Sequence, residues 1–272
     1  MWQNDGWNVR VRLGVLTPHA DVGPESELRA MAPADVGIHA ARVPFGAMRP
    51  GGEMDKTIPL APIRAFAEPP YVDEATERLA AAPLAAIGFA FTSSAYVIGA
   101  SGEEAMLERL YTRAGGIPVV ATCTAMVDAL RTVGASRLSL VDPPWFDAEL
   151  NALGRRYYET AGFAVPFSVP CPLPSGQTLV RPDELYDWVS AHVPDSADAV
   201  VLGGNGFRAV GVVERLEARL GRPVLTPNQV LLWAMLRAAG TSTDDVAGYG
   251  RLFALAGPAP FPASSPGPGG RV

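Results

Sequence analysis

The chain has 272 residues, 48% hydrophobic and 18% charged, with a formal net charge of -6. That length holds one large core or two α/β lobes of about 100–150 residues each, not three. No Lys/Arg run stands out, which argues against the basic face of a nucleic-acid binder.

The first residues, Met1 to Gly6, are polar and lack the apolar region of a secretory signal. Residues 9–16 predict a first strand. Residues 85–91 predict another, inside the longest apolar stretch, which Pro83 and Gly88 make too broken for a membrane span. A Gly/Ser-rich turn and a helix over 103–111 follow. Further strands are predicted at 117–121, 137–141, 199–202 and 223–225, and further helices at 125–133, 146–160, 182–192, 210–220 and 229–239. Gly134, Gly162, Gly221 and Gly240 close four of these helices, since glycine accepts the left-handed backbone of a helix end. Strands separated by single helices imply βαβ units and mostly parallel sheets. From residue 256 the chain is dominated by Pro, Gly and Ser and is expected to be disordered or draped over the surface. Cys123 and Cys171 are the only cysteines. They provide neither a disulfide framework nor a zinc spacing, so the reducing cytoplasm is the expected location.

In open α/β sheets ligands bind beyond the carboxyl ends of the strands. Four such turns are rich in small polar residues or in Gly and Pro: 17–23, 92–96, 142–145 and 203–208. They are expected to converge. Thr92, Ser93 and Ser94 stand where a strand enters a helix. Their hydroxyls and backbone N–H groups suit a developing oxyanion, and the competing reading is a helix cap. In Gly203-Gly204-Asn205-Gly206-Phe207-Arg208 the glycines permit close backbone approach, and Asn205 adds a donor and an acceptor. The pattern lacks the GxGxxG of a dinucleotide site. Pro18-His19-Ala20-Asp21 offers His19 as an acid/base and Asp21 as a base or cation ligand. Trp145, behind Pro143 and Pro144, is a candidate pocket wall. Cys123 also follows a strand, as a small buried hydrophobe or as a nucleophile.

These turns, in this order over about residues 10–240, resemble the maleate isomerase and arylmalonate decarboxylase branch of the Asp/Glu racemase superfamily. Phe91-Thr92-Ser93 is similar to that group's Cys-Thr-Ser or Gly-Thr-Ser. Trp145 falls near a family Tyr. Gly204 stands where the second cysteine would be, and Thr226-Pro227-Asn228-Gln229 with Trp233 resembles the last strand-to-helix segment. The resemblance implies two pseudo-symmetric flavodoxin-like lobes with mostly parallel sheets and an active site in the interlobe cleft. It places residues 1–115 plus 225–250 in the first lobe and 116–224 in the second. It implies no metal and no organic cofactor. Phe91 and Gly204 replace the family cysteines and Asp21 the usual Asn, so a two-cysteine racemisation is excluded at those positions. The expected activity is a cofactor-independent isomerase or lyase acting through an enol or enolate of a small carbonyl or carboxylate substrate. Asp21 or His19 would handle the proton, with Thr92 and Ser93 stabilising the oxyanion. Phe91, Ser94, Trp145, Gly204, Asn205, Gly206 and Asn228 would bind substrate. The alternatives are a cyclase-type enzyme using only shape and hydrogen bonds, or a non-catalytic small-molecule-binding protein. The expected partner is a small-molecule substrate, with no nucleic acid and no membrane; a homo-oligomer is left open.

Overall fold

The computed structural model describes residues 5–55 and 57–257. The chain alternates strands and helices throughout. In the first lobe these are β1 (Val11–Pro18), α1 (Gly23–Met31), β2 (Val36–Val43), α2 (Leu60–Ala67), α3 (Tyr71–Ala80), β3 (Ala86–Phe89), α4 (Thr92–Arg113), β4 (Val119–Ala121) and α5 (Thr122–Thr132). The second lobe comprises β5 (Arg137–Asp142), α6 (Ala148–Thr160), β6 (Ala164–Pro170), α7 (Pro182–His192), β7 (Ala199–Leu202), α8 (Val213–Leu220) and β8 (Val224–Leu225); α9 (Pro227–Ala238) follows it.

Two four-stranded sheets result, in the orders β2-β1-β3-β4 and β6-β5-β7-β8. Strand pairing is parallel throughout both sheets. The identical order makes the lobes pseudo-symmetric, with β1 equivalent to β5 and β3 to β7. These four strands are the central ones, and the turns that leave them are the four rich in polar residues, Gly and Pro.

Local chemistry explains the elements. β3 (AIGF) and β7 (AVVL) are buried at every position, as parallel strands covered on both faces must be. Helix α9 starts on a reciprocal capping box between Thr226 and Gln229, with Pro227 in its first turn. Asp147 caps α6 by accepting from the Leu150 N–H at 2.9 Å. Gly221 ends α8 at φ 68°, a left-handed conformation.

Several elements carry weaker sequence signals and emerge only here. β2 and β6 are edge strands. Exposed His39 and Arg42 interrupt the apolar pattern of β2, while Pro166 and Pro170 sit in β6, where an edge tolerates them. Helices α1, α2 and α3 contain or follow prolines. Helix α4 begins at Thr92, well before residue 103, because Gly99 breaks it at φ 72° and ψ 173°. The sheets also change over later than residue 116. β4 pairs with β3 in the first sheet and β8 with β7 in the second. α9 then crosses back to pack on β3, β4 and α5. Beyond Gly240, Val246, Leu252 and Phe253 are still buried, so the core continues past the fading of the periodic pattern. Residues 258–272 of the Pro/Gly/Ser-rich tail lie outside the described residues.

Candidate active site

The turns after β1, β3, β5 and β7 meet. Pro18, Asp21, Phe91, Thr92, Ser93, Trp145, Gly204, Asn205 and Gly206 line one small cavity at the junction of the lobes. Met48, Met54 and Ile58 from the connection between β2 and α2, together with Phe146 and Gln177, complete its wall. Its volume is about 30 Å³, room for about two waters.

The centre of the junction is Asn205. Its Oδ1 accepts from both the Thr92 N–H (2.8 Å) and the Thr92 hydroxyl (2.6 Å). Its Nδ2 donates to Thr122 Oγ1 (3.1 Å) and Asn228 Oδ1 (2.9 Å). Asn205 therefore caps α4 from the opposite lobe; Phe91, at the cap position itself, makes no side-chain cap bond. Asn228 extends the network, donating to Glu27 Oε2 (2.7 Å) and to the Asn205 carbonyl (2.9 Å). Glu27 Oε1 accepts the Ala209 and Val210 N–H groups at 2.8 and 3.1 Å.

This network reassigns several of the residues expected in the site. Thr92 lines the cavity, but both its donors point at Asn205, so it is a joint between lobes. Asn205 likewise spends its side chain inside the interface and presents its surface to the cavity between two glycines. Ser94 turns its hydroxyl back to the Phe91 carbonyl at 2.8 Å, and Asn228 is buried behind Asn205; neither lines the cavity. His19 is exposed, lies outside the lining and accepts the Phe45 N–H on Nδ1 at 3.1 Å. Cys123 is buried beneath the site, donating to the Thr92 carbonyl at 3.4 Å; burial pushes its thiol well above the usual range. Neither cysteine is in the lining, and both thiols are free.

Two groups bring reactive polar atoms to the cavity wall. The Ser93 hydroxyl has no hydrogen-bond partner among the described residues, although Ser93 is 3% exposed and lines the cavity. It stands in the first turn of α4, where orphan N–H groups and the helix dipole favour negative charge. The second is Asp21. Its Oδ1 accepts the Gly23 N–H at 2.8 Å, and the Arg42 guanidinium donates to its backbone carbonyl. Burial raises its carboxyl to about 6, outweighing the Gly23 N–H, the Gln177 side chain and the Arg42 charge, all of which favour ionisation. Burial likewise takes Glu27 to about 7 and Asp142 to about 7.

The glycines are needed for this closure. A Cβ on Gly206 would collide with Gln177 Nε2 and lie 3.0 Å from Asp21 Oδ2. At Gly204 the backbone is left-handed (φ 77°), and a Cβ would lie 2.7 Å from Pro143 Cγ. Met48, Met54, Ile58 and Gln177 carry no sequence signal as site residues, because they sit on irregular connections that only the tertiary fold brings over the cavity. Among the described residues no cluster of His, Cys, Asp or Glu could hold a metal ion, and no helix is long and apolar enough to cross a membrane.

A family model described as arylmalonate decarboxylase matches residues 70–253, including the turns after β3, β5 and β7. The chain belongs to the arylmalonate decarboxylase family. Maleate isomerase from Pseudomonas putida is 26% identical over 234 residues, 84% of this chain and 91% of the relative. Arylmalonate decarboxylase from Bordetella bronchiseptica is 27% identical over 196 residues, 67% of this chain and 76% of the relative. The fold agrees with solved structures. The maleate isomerase Iso from Pseudomonas putida S16, crystallised with maleate, superposes with a TM-score of 0.78 at 22% identity, over 91% of this chain and 98% of that one. A crystal structure of arylmalonate decarboxylase gives 0.73 at 20% identity, over 89% and 99%. The α/β architecture with parallel sheets in two lobes, and the place in this branch, are thus as the sequence implies.

Proposed function

We propose that this member of the family is a cofactor-independent isomerase or lyase that works through an enolate of a small carboxylate and uses Asp21, not a cysteine, for the proton. The observation that carries the reading is the pairing, in one interlobe cavity, of a buried carboxyl raised to about 6 with a helix entrance whose Ser93 hydroxyl is free. A group that titrates near neutrality suits general acid-base work. A related Nocardia farcinica maleate cis-trans isomerase, in a cysteine-to-serine variant, has been captured with a covalently bound succinylcysteine intermediate. None of the residues lining this cavity is a cysteine, and the resemblance puts Phe91 and Gly204 at the family's cysteine positions, so an adduct of that kind has no thiol at the cavity wall.

In the lyase direction, a malonate-type substrate places the carboxylate it keeps at the entrance of α4. The bond from the α-carbon to the other carboxylate breaks and CO2 leaves. The electron pair stays as an enediolate, held by the Ser93 hydroxyl and the α4 amides. Neutral Asp21 gives its proton to the α-carbon and regains one from water. In the isomerase direction Asp21 takes the α-proton from the saturated α-carbon of the carboxylate, leaving the same enediolate, and a proton goes back to that carbon from Asp21 or from water. The cavity is smaller than such a substrate, so turnover requires the cover of Met48, Met54 and Ile58 to move.

Proton NMR in D2O with phenylmalonate and with 2-phenylpropionate tests this. Expected are CO2 loss with α-deuteration from phenylmalonate, or exchange of the α-proton of 2-phenylpropionate for deuterium, in the native protein, and loss of at least about 10²-fold in Asp21→Asn, the range for a general acid or base. Undiminished turnover in Asp21→Asn refutes the assignment of the proton. Failure of the native protein to act on either carboxylate refutes the substrate class.

A further inference from the structure

We propose that the groove between α4, α5 and α6 is a second ligand site, for a small monocarboxylate with an aromatic or branched apolar body. The groove has a volume of about 350 Å³, against about 30 Å³ for the cavity between the lobes, and falls within the size range of small-molecule sites. The break in α4 at Gly99 shapes its edge: the helix changes direction there, and the space beside Gly99 is open. The groove is separate from the interlobe cavity. Tyr96, on its floor, meets Phe146, in the wall of the other cavity, edge to face at 6.4 Å. A Cβ on Gly154 would lie 2.6 Å from the Tyr96 ring, so the ring is held tightly in this partition.

The lining sets the ligand chemistry. Tyr96, Val127 and Leu153 offer an apolar surface. The hydroxyls of Thr124 and Tyr157, which also line the groove, donate inward to Glu103 Oε2 at 2.8 and 2.9 Å, so their protons are already used. Charged donors to a ligand come from Arg131 and Arg156, beside the Thr160 hydroxyl, which also lines the groove. Arg131 holds Asp128 only at 3.9 Å and the Ala161 carbonyl at 3.5 Å. Arg156 has no carboxylate partner among the described residues. Asp128 offsets one of the two positive charges, leaving an excess of one beside an apolar floor. A guanidinium matches a carboxylate in shape and charge, and the tyrosine and aliphatic surfaces take the body attached to it.

Benzoate is the probe, titrated calorimetrically into the full chain, with benzylamine as the opposite-charge control. Benzoate is expected to bind saturably and benzylamine not at all. The exposed double substitution Arg131→Ala with Arg156→Ala should weaken benzoate about tenfold or more, the loss of one charge-assisted hydrogen bond. Leu153→Trp, which fills the groove, should do the same. Ser93→Ala, in the other cavity, should leave the affinity unchanged whether or not the catalytic proposal holds. Absence of saturable binding, or equal affinity in the double arginine variant, overturns the proposal. So does loss of binding in Ser93→Ala, which places the probe between the lobes. A shift from dimer to monomer by sedimentation in the double arginine variant also overturns it, since a second copy then covers the mouth.

Discussion

Replacing Asn205 by alanine tests whether one side chain holds the lobes together. The substitution removes the acceptor for the Thr92 N–H and hydroxyl, and the donor to Asn228 Oδ1 and Thr122 Oγ1. The two hydroxyls can rotate toward other partners. The Thr92 N–H and Asn228 Oδ1 cannot, and both residues are buried. Each orphaned buried group costs about 1–3 kcal/mol, so the loss is roughly 2–6 kcal/mol. For a chain of this size, about 2–4 °C per kcal/mol translates that into a fall in melting temperature of at least about 4 °C. Asn205→Asp sharpens the test. It keeps an acceptor toward Thr92 but sets an oxygen against Asn228 Oδ1. Asn228 cannot turn its amide without breaking its bonds to Glu27 and to the Asn205 carbonyl. Both variants should melt earlier by differential scanning calorimetry, the aspartate more so at pH 8 than at pH 5. If Asn205→Ala melts within about 2 °C of the native protein, or Asn205→Asp matches it at pH 8, Asn205 does not join the lobes.

Thr92 and Ser93 should separate. Ser93→Ala is expected to lose about 10²–10³ in turnover at saturating substrate with little change in melting, as for an oxyanion donor; Thr92→Val should chiefly melt earlier, and the reverse pattern would contradict the geometry. Stability should fall as pH rises from about 5 to 7 and level off above that. Asp21, Glu27 and Asp142 are raised to about 6, 7 and 7, so in that window the folded chain keeps protons that the unfolded chain has released. Each carboxyl loses up to about 1.4 kcal/mol per pH unit only until its folded value is passed, near pH 6 for Asp21 and near pH 7 for Glu27 and Asp142, and denaturant titrations that are flat or rising from pH 5 to 7 would refute this. Cys123→Ser and Cys171→Ser should retain turnover, since neither thiol reaches the cavity; a loss of several orders of magnitude in a folded Cys123→Ser variant would return the chemistry to a thiol. Gly204→Cys should melt earlier than the native protein because its Cβ meets Pro143 on a left-handed backbone, and unchanged melting would show that Pro143 yields freely.

How much of this was legible beforehand depends on the range of the interactions involved. Central strands such as 199–202 and helices closed by Gly221 or Gly240 announce themselves through runs of neighbouring residues, because burial on both faces and left-handed caps are local demands. The order of the four strand-end turns likewise sufficed to indicate the branch of proteins and the side of the sheets where the site lies. Two of the four edge strands, β2 and β6, were not legible, because each satisfies only one neighbour and tolerates polar residues or proline, whereas the edges β4 and β8 are short apolar runs and were legible. Nor were the roles inside the site. Which donors of Thr92 are free depends on Asn205, 113 positions away, and the ionisation of Asp21 depends on burial produced by both lobes. Gln177 and the two methionines over the cavity come from irregular connections with no periodicity to betray them. Sequence alone determined the parallel α/β lobes and the residues offered to the cleft, since those follow from local pattern. Only the tertiary structure decided which of those residues face one another and which face the cavity, because hydrogen-bond partners and desolvation are properties of the packed interface between the lobes.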